Sequence, residues 1–114
     1  CGHDALGANP DTGNFMLVGQ NSLEAVKDVA DLAYMVHFKD FKKGTGTGHV
    51  FKALDGTDYM GTVIGEGEVD LAQCVAALKE AGFEGWLNLE YEGEGDPIVD
   101  VEKSFRNTRR FAGA

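Results

Sequence analysis

The sequence predicts an α/β chain built on a parallel sheet, and three observations carry that prediction. Short apolar runs with strand character, at residues 6–10, 35–38 and 85–91, are each followed by a segment with helical spacing. The runs lead into Asp11, His37 and Glu90, polar residues placed where buried strands should meet solvent. The irregular stretch with hairpin character, residues 41–66, enlarges the second connection without replacing its helix. Parallel α/β folds build their sites at the C-terminal ends of strands, so the same three residues become the first site candidates.

The elements follow in chain order. Leu6-Gly7-Ala8-Asn9-Pro10 runs into Asp11-Thr12-Gly13-Asn14, a turn-rich sequence suited to the top of a strand. Pro10 has no N–H to donate, which places it at a strand's end or edge. Asn21-Ser22-Leu23-Glu24 is an N-cap with a glutamate three residues on, and Leu23, Val26, Ala30 and Ala33 predict a helix over about residues 22–33. Met35-Val36-His37-Phe38 is a buried strand with His37 at its tip, and Lys39-Asp40 is expected to run out into solvent.

Beyond it, Lys42-Lys43-Gly44-Thr45-Gly46-Thr47-Gly48 reads as a flexible basic loop and Asp55-Gly56 as a hairpin turn, and the whole excursion from Phe41 to Gly65, whose lysines and glycines start directly beyond His37, is expected to form a mobile cover over the site. Because those glycines do not open a helix, a loop is the better reading than a phosphate cradle. Gly65-Glu66-Gly67-Glu68-Val69-Asp70 mimics part of a dinucleotide fingerprint but lacks its third glycine, so it reads as a turn feeding a helix capped by Asp70. That helix carries Leu71, Cys74, Val75 and Leu78 on one face and stops at Gly82. In the third strand, alternation sends Leu87, Leu89 and Tyr91 to one side and Trp86, Asn88 and Glu90 to the other. With Met35 and His37, the second set should line an interior face, while Val36, Phe38, Leu87 and Leu89 face helices. Asp96-Pro97 then starts a last helix with cap and first-turn proline, an inner stripe of Ile98, Val101, Phe105 and Thr108, and Arg106, Arg109 and Arg110 near its end.

Bulk properties narrow the function. The 114 residues suffice for one domain with a modest core. A formal charge of −9, from 19 acids against 10 bases, repels a phosphate backbone and argues against nucleic acid as a partner. No apolar run approaches the roughly 20 residues that cross a bilayer, and no signal peptide is visible, so the expected location is the cytoplasm, away from membranes. Two cysteines are too few for a disulfide framework, and Cys74 lies on a buried helical stripe. A lipidated Cys1 is the alternative to a first residue that runs straight into a domain.

An imidazole and two carboxylates at strand tips form a mixed nitrogen–oxygen donor set suited to a divalent ion. The competing reading is a satisfied core histidine beside two solvated acids.

Taken together, Asp11-Thr12-Gly13-Asn14, Val36-His37-Phe38-Lys39-Asp40, Gly65 to Asp70, Gly82-Phe83-Glu84-Gly85-Trp86 leading to Leu89-Glu90, and Asp96-Pro97 with Val101 and Ser104 resemble the xylose-isomerase-like family of (β/α)8 TIM barrels. That group holds sugar-phosphate isomerases and epimerases, inosose dehydratases and type IV AP endonucleases. The resemblance covers nearly the whole chain. It implies that residues 1–114 are the C-terminal part of such a barrel, strands six to eight with their helices, with the upstream strands missing. It also implies that Asp11, His37 and Glu90 bind the metal, with Glu90 serving as one of two glutamates that transfer protons. The family's fourth ligand, a glutamate ending strand five, has no match here, and Asn14 stands where several members have a histidine.

The expected function is therefore divalent-metal-dependent isomerisation or epimerisation of a sugar, sugar phosphate or polyol through an enediolate, with Mn²⁺ expected first and Mg²⁺, Co²⁺ or Zn²⁺ also suitable. Asn14, Lys39 and Lys43 are the expected substrate contacts, although a solvated side chain is the simpler reading of each lysine. The alternatives are an inosose-dehydratase-like lyase and a non-catalytic fragment or assembly module of the same fold. An AP endonuclease would need histidines near Asn14 and ahead of Gly65, and neither is present. Partners should be a small carbohydrate and either a second copy or the remainder of a longer chain. Three parallel strands cannot close on themselves, and the chain alone is expected to be inactive.

Overall fold

The structure, a computed structural model, describes residues 2–113, so Cys1 and its lipidation lie outside the described residues. In chain order it contains α1 (Asn14–Leu17), α2 (Ser22–Val29), β1 (Met35–Phe38), β2 (Phe41–Lys43), β3 (Val50–Lys52), β4 (Asp58–Gly61), α3 (Leu71–Glu80), β5 (Trp86–Leu89) and α4 (Pro97–Ala112).

The two central strands, β1 and β5, pair in parallel with His37 opposite Asn88 and Phe38 opposite Leu89. Residues 8–12 run along the other side of β1, pairing in parallel at Ala8 with Ala33 and at Asp11 with His37. They form an irregular third strand. Pro10 cannot donate, yet its carbonyl accepts the His37 N–H at 3.0 Å, and the Thr12 N–H returns to the His37 carbonyl at 3.0 Å. The first β/α unit is thus as predicted in order and direction, with looser pairing than a regular strand.

α2 is shorter than its periodicity suggests. Asn21 caps it by accepting the Glu24 N–H at 3.1 Å, and it ends at Val29, after which Ala30–Leu32 tighten into a 3₁₀ turn. Val26 and Ala30 are buried as expected. α3 matches its prediction closely: Asp70 accepts the Gln73 N–H, Leu71, Cys74, Val75 and Leu78 are buried, and Gly82 beyond its end takes φ +77°. These residues, Val36, Phe38, Ile64 and Val69 form the core between sheet and helices. On the opposite face of the sheet Asn88 and Trp86 are exposed, the latter at 79 %.

The excursion carries a sheet of its own. β2, β4 and β3 form a three-stranded antiparallel sheet with β4 in the middle, and Gly56 at φ +87° makes the turn between β3 and β4. Phe41, Ala53 and Tyr59 give this sheet a small core of its own, with Phe41 and Phe51 rings 4.9 Å apart.

α4 corrects the predicted inner stripe. Asp96 caps it, Pro97 opens it and Thr108 is buried as expected, but Ile98 and Phe105 are 81 % and 53 % exposed and Val101 is exposed as well. The inward face is polar: Ser104 Oγ accepts the Ile64 N–H at 3.1 Å and Asn107 Nδ2 donates to the Ile64 carbonyl at 2.8 Å. Small side chains let the helix approach that backbone closely, and Ile98, Val101 and Phe105 join Leu89 and Pro97 in an outward apolar strip. Among the described residues no helix is long and apolar enough to cross a membrane.

Candidate metal centre

Parallel pairing of residues 8–12, β1 and β5 brings their C-terminal ends level, and so brings Asp11, His37 and Glu90 together. One ligand atom from each lies within 4.8 Å of the others. His37 Nδ1 is 3.3 Å from Glu90 Oε2 and 3.8 Å from Asp11 Oδ2.

Asp11 is held in place by its own turn. Its Oδ1 accepts the backbone N–H groups of Gly13 and Asn14 at 3.0 and 2.9 Å, and its Oδ2 accepts Asn14 Nδ2 at 2.9 Å. The Asn14 amide thus orients the Asp11 carboxylate. Glu90 is anchored by its backbone N–H on the Phe38 carbonyl at 3.1 Å.

Lys39 is not solvated, because its side chain is only 6 % exposed. Its Nζ lies 2.7 Å from Glu90 Oε2, 2.9 Å from Glu92 Oε2 and 3.4 Å from Asp11 Oδ2. Burial acts to lower its pKa, but contacts with Glu90 and Glu92 and the charge of Asp11 outweigh that, leaving it above the ordinary lysine value. The Lys39 ammonium in turn holds the Glu90 carboxyl below its usual range, with burial opposing and His37 assisting. Lys43, by contrast, is well exposed, 3.9 Å from Glu68, and is not brought to the three residues.

Asp40, expected in solvent, is 1 % exposed. Its carboxylate takes three backbone N–H groups, from Gly65 at 2.9 Å, Gly67 at 2.8 Å and Val69 at 3.1 Å. Burial raises its pKa and those bonds pull it down, for a net rise. A side chain at Gly67 would collide with this carboxylate, so glycine is required there. Glu92 and Asp40 were both missed by the sequence reading. Strand alternation, continued two residues past Glu90, would have flagged Glu92; nothing local marks Asp40, whose donors lie 25–29 residues away.

The donor set fits a divalent ion. Two carboxylate oxygens and an imidazole nitrogen converge, and Glu90 Oε2, turned away from solvent, faces the imidazole as well as the Lys39 ammonium.

Comparison with known proteins agrees with this architecture. The profile of the xylose isomerase-like TIM barrel family matches residues 1–111. Inosose dehydratases of Lacticaseibacillus casei and of its strain BL23 are each 29% identical over 86 residues, 72% of this chain and 29% of theirs. Two solved structures superpose with a TM-score of 0.72. One is a xylose isomerase-like TIM barrel protein from Mycobacterium smegmatis in complex with magnesium, 21% identical, covering 97% of this chain and 36% of its own. The other is a xylose isomerase domain protein from Planctomyces limnophilus, 22% identical, covering 98% of this chain and 39% of its own. The chain thus spans under a third of the curated relatives' length, and its three β/α units have the fold of part of that barrel. On these grounds the chain belongs to the xylose isomerase-like TIM barrel family.

Proposed function

We propose that the protein is a divalent-metal-dependent enzyme acting on a sugar, sugar phosphate or polyol, and that it isomerises or epimerises its substrate by moving a proton on carbon. The observation that supports this reading is the convergence of Asp11, His37 and Glu90 at the C-terminal ends of three parallel runs. In this reading those residues hold the ion. A bound divalent ion supplies Lewis acidity, which polarises a substrate oxygen and acidifies the neighbouring C–H. Glu90, kept ionised beside Lys39, accepts the proton and leaves an enediolate; return of the proton to the adjacent carbon isomerises, and delivery of a proton to the original carbon by a second acid on the opposite face epimerises. Asn14 fixes the Asp11 carboxylate, and the Lys39 ammonium sets the rotamer of Glu90.

A second outcome of the same proton abstraction is loss of a β-hydroxyl as water, and the inosose dehydratase relatives favour it. A complete barrel containing this chain, loaded with Mn²⁺ and offered ketoses and inososes in deuterated water, decides between them by NMR. The expected result is deuterium at a carbon next to the carbonyl, with an isomer or epimer as product. A conjugated enone would instead assign the dehydratase reaction. No exchange into any substrate tested with metal bound would overturn the proposal.

A further inference from the structure

We infer that Lys39 occupies the place of a second cation and so confines the centre to a single divalent ion. The inference rests on the metal reading of Asp11, His37 and Glu90. The Nζ lies within 3.4 Å of carboxylates from three residues, Asp11, Glu90 and Glu92. One ammonium and one divalent ion together neutralise those three negative charges. A second divalent ion would leave positive charge uncompensated in a partly buried site, where desolvation makes that costly.

Geometry agrees with the charge count. Two-metal centres hold their ions about 3.5–4 Å apart and stabilise both across shared oxygens. The oxygen best placed to be shared, Glu90 Oε2, already has the imidazole 3.3 Å away and the ammonium 2.7 Å away. Nor is the ammonium free to swing aside. Thr12 Oγ1 accepts the Lys39 N–H at 2.9 Å and donates to the Lys39 carbonyl at 2.7 Å, fixing the backbone from which the side chain rises. Its stem lies over Gly13, where a Cβ would come within 2.9 Å of Lys39 Cγ and 3.1 Å of Cδ. Gly13 has φ −88°, a conformation open to any residue, so space for this lysine, and not backbone freedom, is what the glycine supplies. The Phe41 ring lies 5.8 Å from the ammonium and closes another side.

The test is metal stoichiometry, read apart from activity. Protein stripped by chelation is titrated with Mn²⁺, with free ion followed by electron paramagnetic resonance and bound ion by elemental analysis. The wild type and Lys39→Arg, which keeps the charge, should saturate at one equivalent. Lys39→Met should take up a second, and the spectrum of the neighbouring ions should broaden by their coupling. Should Lys39→Met fail to fold cooperatively, Lys39→Gln serves in its place. Two equivalents in the wild type, or a folded neutral variant that still saturates at one, overturns the inference and leaves the metal reading intact. No bound manganese in the wild type overturns that reading and this inference with it.

Discussion

At the residue scale, the centre depends on few atoms, and each makes a separable prediction. Removing the imidazole in His37→Ala takes away one of three converging donors, so Mn²⁺ affinity should fall by about tenfold or more. Asn14→Ala leaves Asp11 Oδ1 on its two backbone donors and frees only Oδ2, so its loss should be at the lower end of the roughly 10–100-fold range for outer-layer partners. Isothermal titration of both variants checks the ordering, and equal affinity in all three proteins would remove His37 from the centre. Cys74 gives a pH prediction. Burial, helped by the charges of Asp70 and Asp40, pushes its thiol from 9.0 up to about 12. Between those values the unfolded chain has released a proton that the folded chain retains, so stability declines as pH rises above 9, by at most about 1.4 kcal/mol per pH unit for one group. Urea melts at pH 8 and 10 should show this extra slope, and Cys74→Ala should lose it. The native thiol should also resist aromatic disulfide reagents at pH 8.

At the scale of elements, what could be read in advance was what is encoded locally. The caps Asn21, Asp70 and Asp96, the Asp55-Gly56 turn and the alternation of Trp86 to Glu90 all act within a few residues, and the structure reproduces each. That Asp11, His37 and Glu90 would converge was legible because parallel strands of matched length bring their tips level. What depends on distant backbone was not legible. α4 was misjudged because Ile98, Val101 and Phe105 do form an apolar stripe, whereas the docking face is set by Ser104 and Asn107 meeting Ile64, 40 or more residues away. Lys39 and Asp40 were read as solvated for the same reason. The excursion was read as a cover because its lysines and glycines start directly beyond His37, and nothing local shows that Phe41, Ala53 and Tyr59 meet once it folds. Phe41, fully buried, should be its keystone: Phe41→Ala is expected to cost about 3–5 kcal/mol by denaturant unfolding. A loss below about 1 kcal/mol would mean that the small sheet contributes little to the fold.

At the scale of the whole molecule, the strip of Leu89, Pro97, Ile98, Val101 and Phe105 on one side and the exposed Trp86 on the other leave apolar side chains in water, the kind of surface that marks contact sites. In isolation, residues 1–114 are therefore expected to associate. Light scattering should give a mass above that of a single 12.2 kDa chain, and Phe105→Glu should lower it. A stable wild-type monomer would count against the partial-barrel architecture as a source of association. Asp40 has a consequence of another kind. Its carbonyl accepts the Thr62 N–H, its carboxylate holds Gly65, Gly67 and Val69, and the Phe41 carbonyl next to it accepts the Glu68 N–H. Entry to and exit from the antiparallel sheet are thereby stitched together three residues beyond His37. The β3–β4 turn at Asp55-Gly56, at the far end of the sheet from that stitch, is therefore expected to accept insertions with little mechanical effect on β1. Divergence among relatives, or a grafting experiment, can thus re-dress the mouth of the site while its ligands stay in register.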